Sequence, residues 1–299
     1  MSGLDGLGWP DSNWPEQGIH HGVPFATYRA CDITNQDDAI TSHGKSVSKS
    51  LIVDFIADPA AWKARPKKVA TKAMRAGSLF DCLLTDCDSF DGLYTVSEYD
   101  EFRTNDAKAW KKEVESRGQI VIKRSELEDA QQQVAAVYAK PEAAALLKGA
   151  SFQVAFRHKT KHKFWSKGLI DVLPNDGETI VDIKTCDPRA LESHRSMMRH
   201  ICEWGYHIQA GAYCEGYSHA SGEERHKFKF IFVGSAAPHT CAVVELPLRA
   251  IMAGADIYRN GANQLAECFE TNRWPSIWDG EVELDIPEWG YNELNQIES

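Results

Sequence analysis

Three charged side chains stand where strands seldom carry charge. Asp171, Asp182 and Lys184 lie within two short apolar segments, 168–173 and 179–185, joined by the polar stretch 174–178 with a glycine at 177. That pattern reads as a β-hairpin. Strand side chains alternate, so Asp182 and Lys184 share one face and Ile183 takes the other. Charges in such positions are paired or hold a metal. Two readings stay open here: a structural Asp–Lys ion pair with a second carboxylate nearby, or a site for hard-cation chemistry. Mg²⁺ binds through one or two carboxylates plus waters and phosphate oxygens. Asp171, Asp182 and the main-chain carbonyl of Ile183 could ligate it, and Lys184 could orient an attacking water, a set suited to phosphodiester hydrolysis. Mn²⁺ would substitute. Downstream, Gln209 is an uncharged polar residue in an otherwise apolar helical stretch and needs a partner. It could position water, Lys184 or phosphate. Tyr206, one turn earlier, either contacts a DNA backbone or packs in the core.

The charge distribution adds to this. The chain has 299 residues and a formal charge of −10, which excludes a protein coated in nucleic acid over its whole surface. Two windows nevertheless lack acids. One, between Asp58 and Asp81, holds Lys63, Arg65, Lys67, Lys68, Lys72 and Arg75. The other, between Glu142 and Asp171, holds Lys148, Arg157, Lys159, Lys161, Lys163 and Lys167. Each ends on a carboxylate, so each reads either as a solvated basic face or as a phosphate track into the site. The eight cysteines are scattered without a Cys-x-x-Cys pair, which speaks against a zinc ribbon or an iron–sulfur cluster. No run is long and apolar enough to span a membrane, and the first residues lack a secretory pattern, so a cytoplasmic protein without membrane contact is expected.

The elements that must position these residues follow from the periodicity. Residues 1–45 read as an irregular arm with a short element near 25–30. Ser46, Ser48 and Ser50 offer caps to a helix with Leu51, Ile52, Phe55 and Ile56. A second short helix covers 60–64, and the basic stretch 67–75 enters a longer one carrying Leu79, Phe80, Leu83 and Leu84. Further helices are expected at 108–117, 125–138, 141–147, 188–198, 204–215 and 248–269. Strands are expected at 120–122, 152–158, 163–165, 227–234 and 240–246. The fold class is α/β, a central mixed sheet flanked by helices, with the arm at 1–45, the domain at 46–275 and a packed tail at 276–299.

Gly-Leu-Ile-Asp171, Ile-Val-Asp182-Ile-Lys184-Thr185 and Tyr206-His-Ile-Gln209-Ala-Gly-Ala-Tyr213 together resemble the core of the PD-(D/E)XK nucleases, a restriction-endonuclease-like fold. The likeness is to the RecE-like exodeoxyribonuclease branch, related to lambda exonuclease and the RecB nuclease domain. Residues 47–62 and 77–84 resemble that branch's first helices, and the whole resemblance spans about 46–215. It implies a Mg²⁺-dependent exodeoxyribonuclease resecting linear duplex DNA ends 5′ to 3′ for annealing recombination. It further implies phage or prophage origin, a single-strand annealing protein as partner and a ring-shaped homo-oligomer. Ser48, Ser50 or Arg65 would form a 5′-phosphate pocket. Two departures stand out. Asp81 replaces a customary histidine and is either an outer metal ligand or a solvent-facing helix residue, and Gln153 replaces a frequent glutamate. A structure-specific endonuclease or nickase of the same fold, or a catalytically silent DNA-binding module, remain the alternatives.

Overall fold

The protein is described from a computed structural model covering residues 16–41, 44–66 and 71–285. Its centre is a seven-stranded mixed sheet. The strands, in chain order, are β1 (Gly18–His20), β2 (Val47–Ser48), β5 (Ser151–Lys159), β6 (Trp165–Leu173), β7 (Thr179–Cys186), β8 (Lys227–Gly234) and β9 (Cys241–Leu246). Between them, β3 (Tyr94–Val96) and β4 (Ile120–Ile122) form a separate parallel pair. In space the large sheet runs β1-β5-β6-β7-β8-β9, with β2 added parallel to β6. Only β7 and β8 are parallel along the main path, so the chain must cross over between them. The crossover is a 3₁₀ turn (Pro188–Leu191) followed by two helices.

The helices are α1 (Phe25–Ala30), α2 (Lys49–Ala57), α3 (Pro59–Ala64), α4 (Lys72–Thr85), α5 (Phe90–Leu93), α6 (Asn105–Ser116), α7 (Arg124–Ala139), α8 (Pro141–Leu147), α9 (His194–Glu203), α10 (Tyr206–Ser221) and α11 (Leu248–Thr271). They cover both faces of the sheet. β8 shows why its sequence is apolar throughout. Phe228, Phe230 and Phe232 pack with α2, α9, α10 and α11, while Ile231 and Val233 pack with α4, α7 and α8. A central strand buried on both faces carries no polar alternation. Among the described residues, no helix is long and apolar enough to cross a membrane.

Several expectations change in detail. The hairpin's first strand is not 168–173 but a continuous β6 beginning at Trp165. The helix expected from 188 begins at His194, because the Pro188 segment closes as a 3₁₀ turn capped by Asp187, and Ser193 caps the helix that follows. The larger correction concerns the arm. Gly18–His20 pairs antiparallel with β5, α1 follows, and the bridge Asp32↔Ser46 leads into β2. Residues 18–33 are therefore built onto the sheet, with Val23, Tyr28 and Cys31 packed against Ala155. At the other end, Trp274 stacks on Trp62, and Ser276 donates to Asp58 Oδ2 at 2.8 Å.

Candidate active site

β6 and β7 pair at Val172↔Val181 and then part. Where the next ladder bond would fall, the main-chain N–H of Ile183 donates to Asp171 Oδ2 at 2.9 Å. The carboxylate thus takes the place of a strand carbonyl, and the gap between the strands holds the charged groups. Asp182 is 1% exposed. Its Oδ1 accepts from Gln209 Nε2 on α10, and its Oδ2 lies 2.5 Å from Lys184 Nζ. That ion contact is poorly aligned for a hydrogen bond, so Asp182 Oδ2 is a buried oxygen beside a charge with no directed donor. The expected trio and Gln209 are therefore brought together.

Across the sheet, β5 meets β6 at Phe152↔Val172 and Val154↔Ile170, which places Gln153 opposite Asp171. Its backbone is left-handed, with φ of 50°. That conformation turns the side chain onto α4, where Nε2 donates to Thr85 Oγ1 at 3.1 Å. Thr85 in turn donates to the main-chain carbonyl of Asp81 at 2.7 Å. Gln153 thus ties α4 to the sheet, and α4 brings half-buried Asp81 within electrostatic reach of the site.

The electrostatics match this crowding. Burial pushes the Asp171 carboxyl well above its usual range, with the charges of Asp182 and Asp81 adding to the push and Lys184 and the Ile183 N–H opposing it. Burial raises Asp81 to about 7, with Lys184 pulling it down and Asp182 pushing it up. For Lys184, burial opposes the charge, but Asp182 and Asp171 outweigh it and the ammonium is held more firmly than usual. Tyr206 is 7% exposed and packs against Phe230, Phe232 and His200. It is a buried residue, not a surface DNA contact, and burial raises its hydroxyl to about 12. The Lys184 ammonium sits 5.6 Å from the centre of its ring.

A second ammonium shares that ring. Lys49 Nζ lies 5.4 Å from it and donates to the carbonyl of Trp204 at 3.3 Å. Burial lowers Lys49 to about 8, and the neighbouring Lys184 adds to that shift while Asp182 opposes it. The sequence reading passed over Lys49. Its signal was a lysine at the first position of a helix with no acid in the first turn, where the helix dipole disfavours a cation. Phe25, Tyr28 and Arg29 carry no site role in the sequence reading either, because the short element expected near 25–30 has no visible link to the distant hairpin. These residues line a cavity of about 170 Å³ together with Ser48, Ser50, Asp171, Asp182, Lys184 and Gln209.

The other expected contacts disperse. Ser48 is buried at the cavity and makes no capping bond, while Ser50 is exposed there. Arg65 pairs with Asp54 at 3.0 Å and does not line the cavity. Arg157 is 3% exposed, stacked on Trp165 at 4.3 Å and bonded to the Lys45 carbonyl at 3.4 Å, so it leaves the surface track. Lys161 edges a second cavity, of about 240 Å³, between the β5–β6 turn, α10 and α11. Lys67 and Lys68 lie outside the described residues.

No three His, Cys, Asp or Glu groups among the described residues form a ready-made metal cluster. The donor set still fits a hard divalent cation. Two carboxylates and the Ile183 carbonyl supply oxygen, Asp182 Oδ2 lacks a directed donor, and the mutual repulsion of Asp171, Asp182 and Asp81 is what a cation relieves.

The family profile described as "PDDEXK-like domain of unknown function" (DUF3799) matches residues 48–283. Among solved structures, a candidate exonuclease from Eubacterium rectale is 14% identical over 83% of this chain and 92% of its own, with a TM-score of 0.55, and shares the fold. A phage-related exonuclease from Haemophilus somnus (14% identity, 74% and 95% coverage, TM-score 0.33) aligns more loosely. So does an alkaline exonuclease from Laribacter hongkongensis (12% identity, 76% and 91% coverage, TM-score 0.28). No curated protein sequence matches the chain.

Proposed function

The chain belongs to the PDDEXK-like family, a nuclease fold, and we propose that it is a divalent-metal-dependent exodeoxyribonuclease acting on the ends of linear duplex DNA. The observation that carries this reading is the gap between β6 and β7, where Asp171, Asp182, Lys184 and Gln209 converge. Asp171, Asp182 and the Ile183 carbonyl would hold Mg²⁺ or Mn²⁺, with Asp81 behind them. When bound, such a cation stabilises charge on the scissile phosphate and lowers the pKa of water. Lys184 orients the attacking water and balances the growing negative charge. Gln209 fixes the Asp182 carboxylate, and the Tyr206 ring holds the Lys184 and Lys49 ammoniums at set positions.

As in the RecE-like branch it resembles, the reading includes 5′ to 3′ resection, a ring-shaped oligomer, and delivery of the remaining strand to a single-strand annealing protein in the cytoplasm of a phage- or prophage-bearing cell. The nuclease domain would run from about residue 46 to about residue 275, with residues 18–33 completing its sheet. The test is digestion of end-labelled linear duplex, with 5′-phosphate against 5′-hydroxyl ends, in Mg²⁺ and in EDTA. Hydrolysis is expected only with the cation. Undiminished activity of Lys184→Ala or Asp182→Ala would sink the assignment. Cutting of a covalently closed circle would replace it with an endonuclease.

A further inference from the structure

The acid-free window that ends at Asp171 places part of its basic charge elsewhere. Its middle forms the β5–β6 turn, closed by the Thr160 N–H and hydroxyl, which donate to the Phe164 carbonyl at 2.9 and 3.1 Å. This turn, α10 and α11 enclose a cavity of about 240 Å³, larger than the catalytic one. The two cavities share no lining residue. On α10, His219 of one and Gln209 of the other are separated by almost three helical turns, about 15 Å along the axis. Phe164, Ala212, Gly216 and Ala262, all buried, give the second cavity an apolar floor. One wall is imidazole. His158, 7% exposed, lies nearly parallel to His219 with ring centres 5.2 Å apart. Burial lowers His158 to about 4, so its ring is neutral and offers an aromatic surface rather than charge. The His219 side chain is 60% exposed, which leaves the face turned from His158 open.

The rim is basic. Lys159, Lys161 and Arg259 line the cavity against one acid, Glu215, in a chain of formal charge −10. Arg259 is tied to Glu215 and Asp256, and the Lys159 ammonium lies 5.5 Å from the centre of the Trp165 ring. Exposed Lys161 and its neighbour His162 are the groups placed to meet an anion. An open aromatic face beside positive charge suits a base and its phosphate. The volume lies below that of drug-sized pockets and so fits a single small molecule. We propose that this cavity is a second site, binding a free nucleoside monophosphate: the base lies on the His219 ring above the apolar floor, and the phosphate meets Lys161 and His162. The site goes beyond the nuclease reading and does not depend on it, although hydrolysis of a DNA end would release a ligand of this class.

The test is isothermal titration calorimetry in EDTA, where no metal-dependent hydrolysis intervenes, with deoxyadenosine monophosphate, deoxyadenosine and inorganic phosphate as separate probes. The wild-type chain should bind the nucleotide more tightly than either fragment. Lys161→Glu lies at an exposed position and should keep the wild-type thermal midpoint while weakening the nucleotide about 10- to 150-fold, the usual worth of a hydrogen bond to a charged group. His219→Ala should weaken it about 5- to 150-fold, the usual worth of a stacked base. A fragment that binds as tightly as the whole nucleotide overturns the proposal, and so does the absence of binding. Binding that persists in Lys161→Glu and disappears in Lys184→Ala belongs to the catalytic cavity and overturns it as well. A chain that fails to digest DNA in Mg²⁺ bears on the nuclease reading alone, because nucleotide binding is measured without the cation.

Discussion

Asp171 illustrates a conflict between stability and function within a single side chain. Its carboxyl is raised by burial and by Asp182 and Asp81, so the folded chain holds its proton more tightly than the unfolded chain does. The sign follows. A carboxylate raised on folding stabilises the fold while protonated, and that contribution is lost as pH rises through the folded value. Above that value the charge is a burden that a bound cation would relieve. In EDTA, Asp171→Asn should gain in melting temperature relative to wild type as pH rises, since the amide oxygen can still accept from Ile183. Added Mg²⁺ should raise the wild-type midpoint, by about 2.7 kcal/mol of stability at one hundred times Kd, and leave Asp171→Asn almost unmoved. Differential scanning calorimetry with and without Mg²⁺ checks both. Equal Mg²⁺ shifts in the two proteins would remove Asp171 from the ligand set. The convergence of Asp171, Asp182, Lys184 and Gln209 was legible in sequence because strand alternation and an apolar helix make a misplaced polar residue conspicuous. Lys49 was not, because its neighbours Trp204, Tyr206 and Lys184 lie far along the chain. Arg157 misled for a related reason: an acid-free window reveals sign but not depth, and this guanidinium is buried on Trp165.

The site depends on how closely α10 approaches its neighbour, because α10 carries both Tyr206 and Gln209. It crosses α11 where Gly211 and Gly254 meet. A Cβ on Gly254 would stand 1.8 Å from the carbonyl oxygen of His207, and one on Gly211 would stand 2.0 Å from the Ala255 nitrogen. These obstacles are backbone, which cannot rotate aside. Gly254→Ala should therefore cost about 3 kcal/mol, the upper part of the usual range for overpacking, and should reduce hydrolysis by pushing Gln209 away from Asp182. Urea unfolding and nuclease rates check the pair of effects, and a variant as stable as wild type would show that the helices have room to part. Most elements could be read from periodicity: β7, β8 and α11 lie close to their expected bounds because each is long or strongly patterned. α1 lies where a short element is expected near 25–30. β1 is different: three residues are too few to show a period, and only pairing with β5 makes the strand regular.

Over the whole molecule, titration acts in opposing directions, and a second buried group sets the acid side. His158 lies on β5, away from the carboxylates, in the cavity between the β5–β6 turn, α10 and α11. Its ring stacks on His219 at 5.2 Å, with Lys159, Glu215 and Arg259 also lining that space. Burial lowers it to about 4, and His219 adds to the shift. An unfolded histidine titrates near 6.5. Between these values the unfolded chain binds the extra proton, so stability falls as pH drops from about 6.5 to about 4. The raised carboxyls of Asp81 and Asp171 act the other way over an overlapping range, gaining stability as they protonate. The net curve of the wild-type chain therefore conceals each contribution, and a difference between two proteins isolates one. His158→Gln removes the titrating ring and leaves the carboxylates untouched. Measured in EDTA from pH 7 to pH 4.5, its thermal midpoint should start below the wild-type value, because a packed ring is lost, and the gap should close as acid is added. A gap that stays constant with pH would mean that His158 takes up its proton equally well in the folded chain, and that acid acts on the fold through other groups.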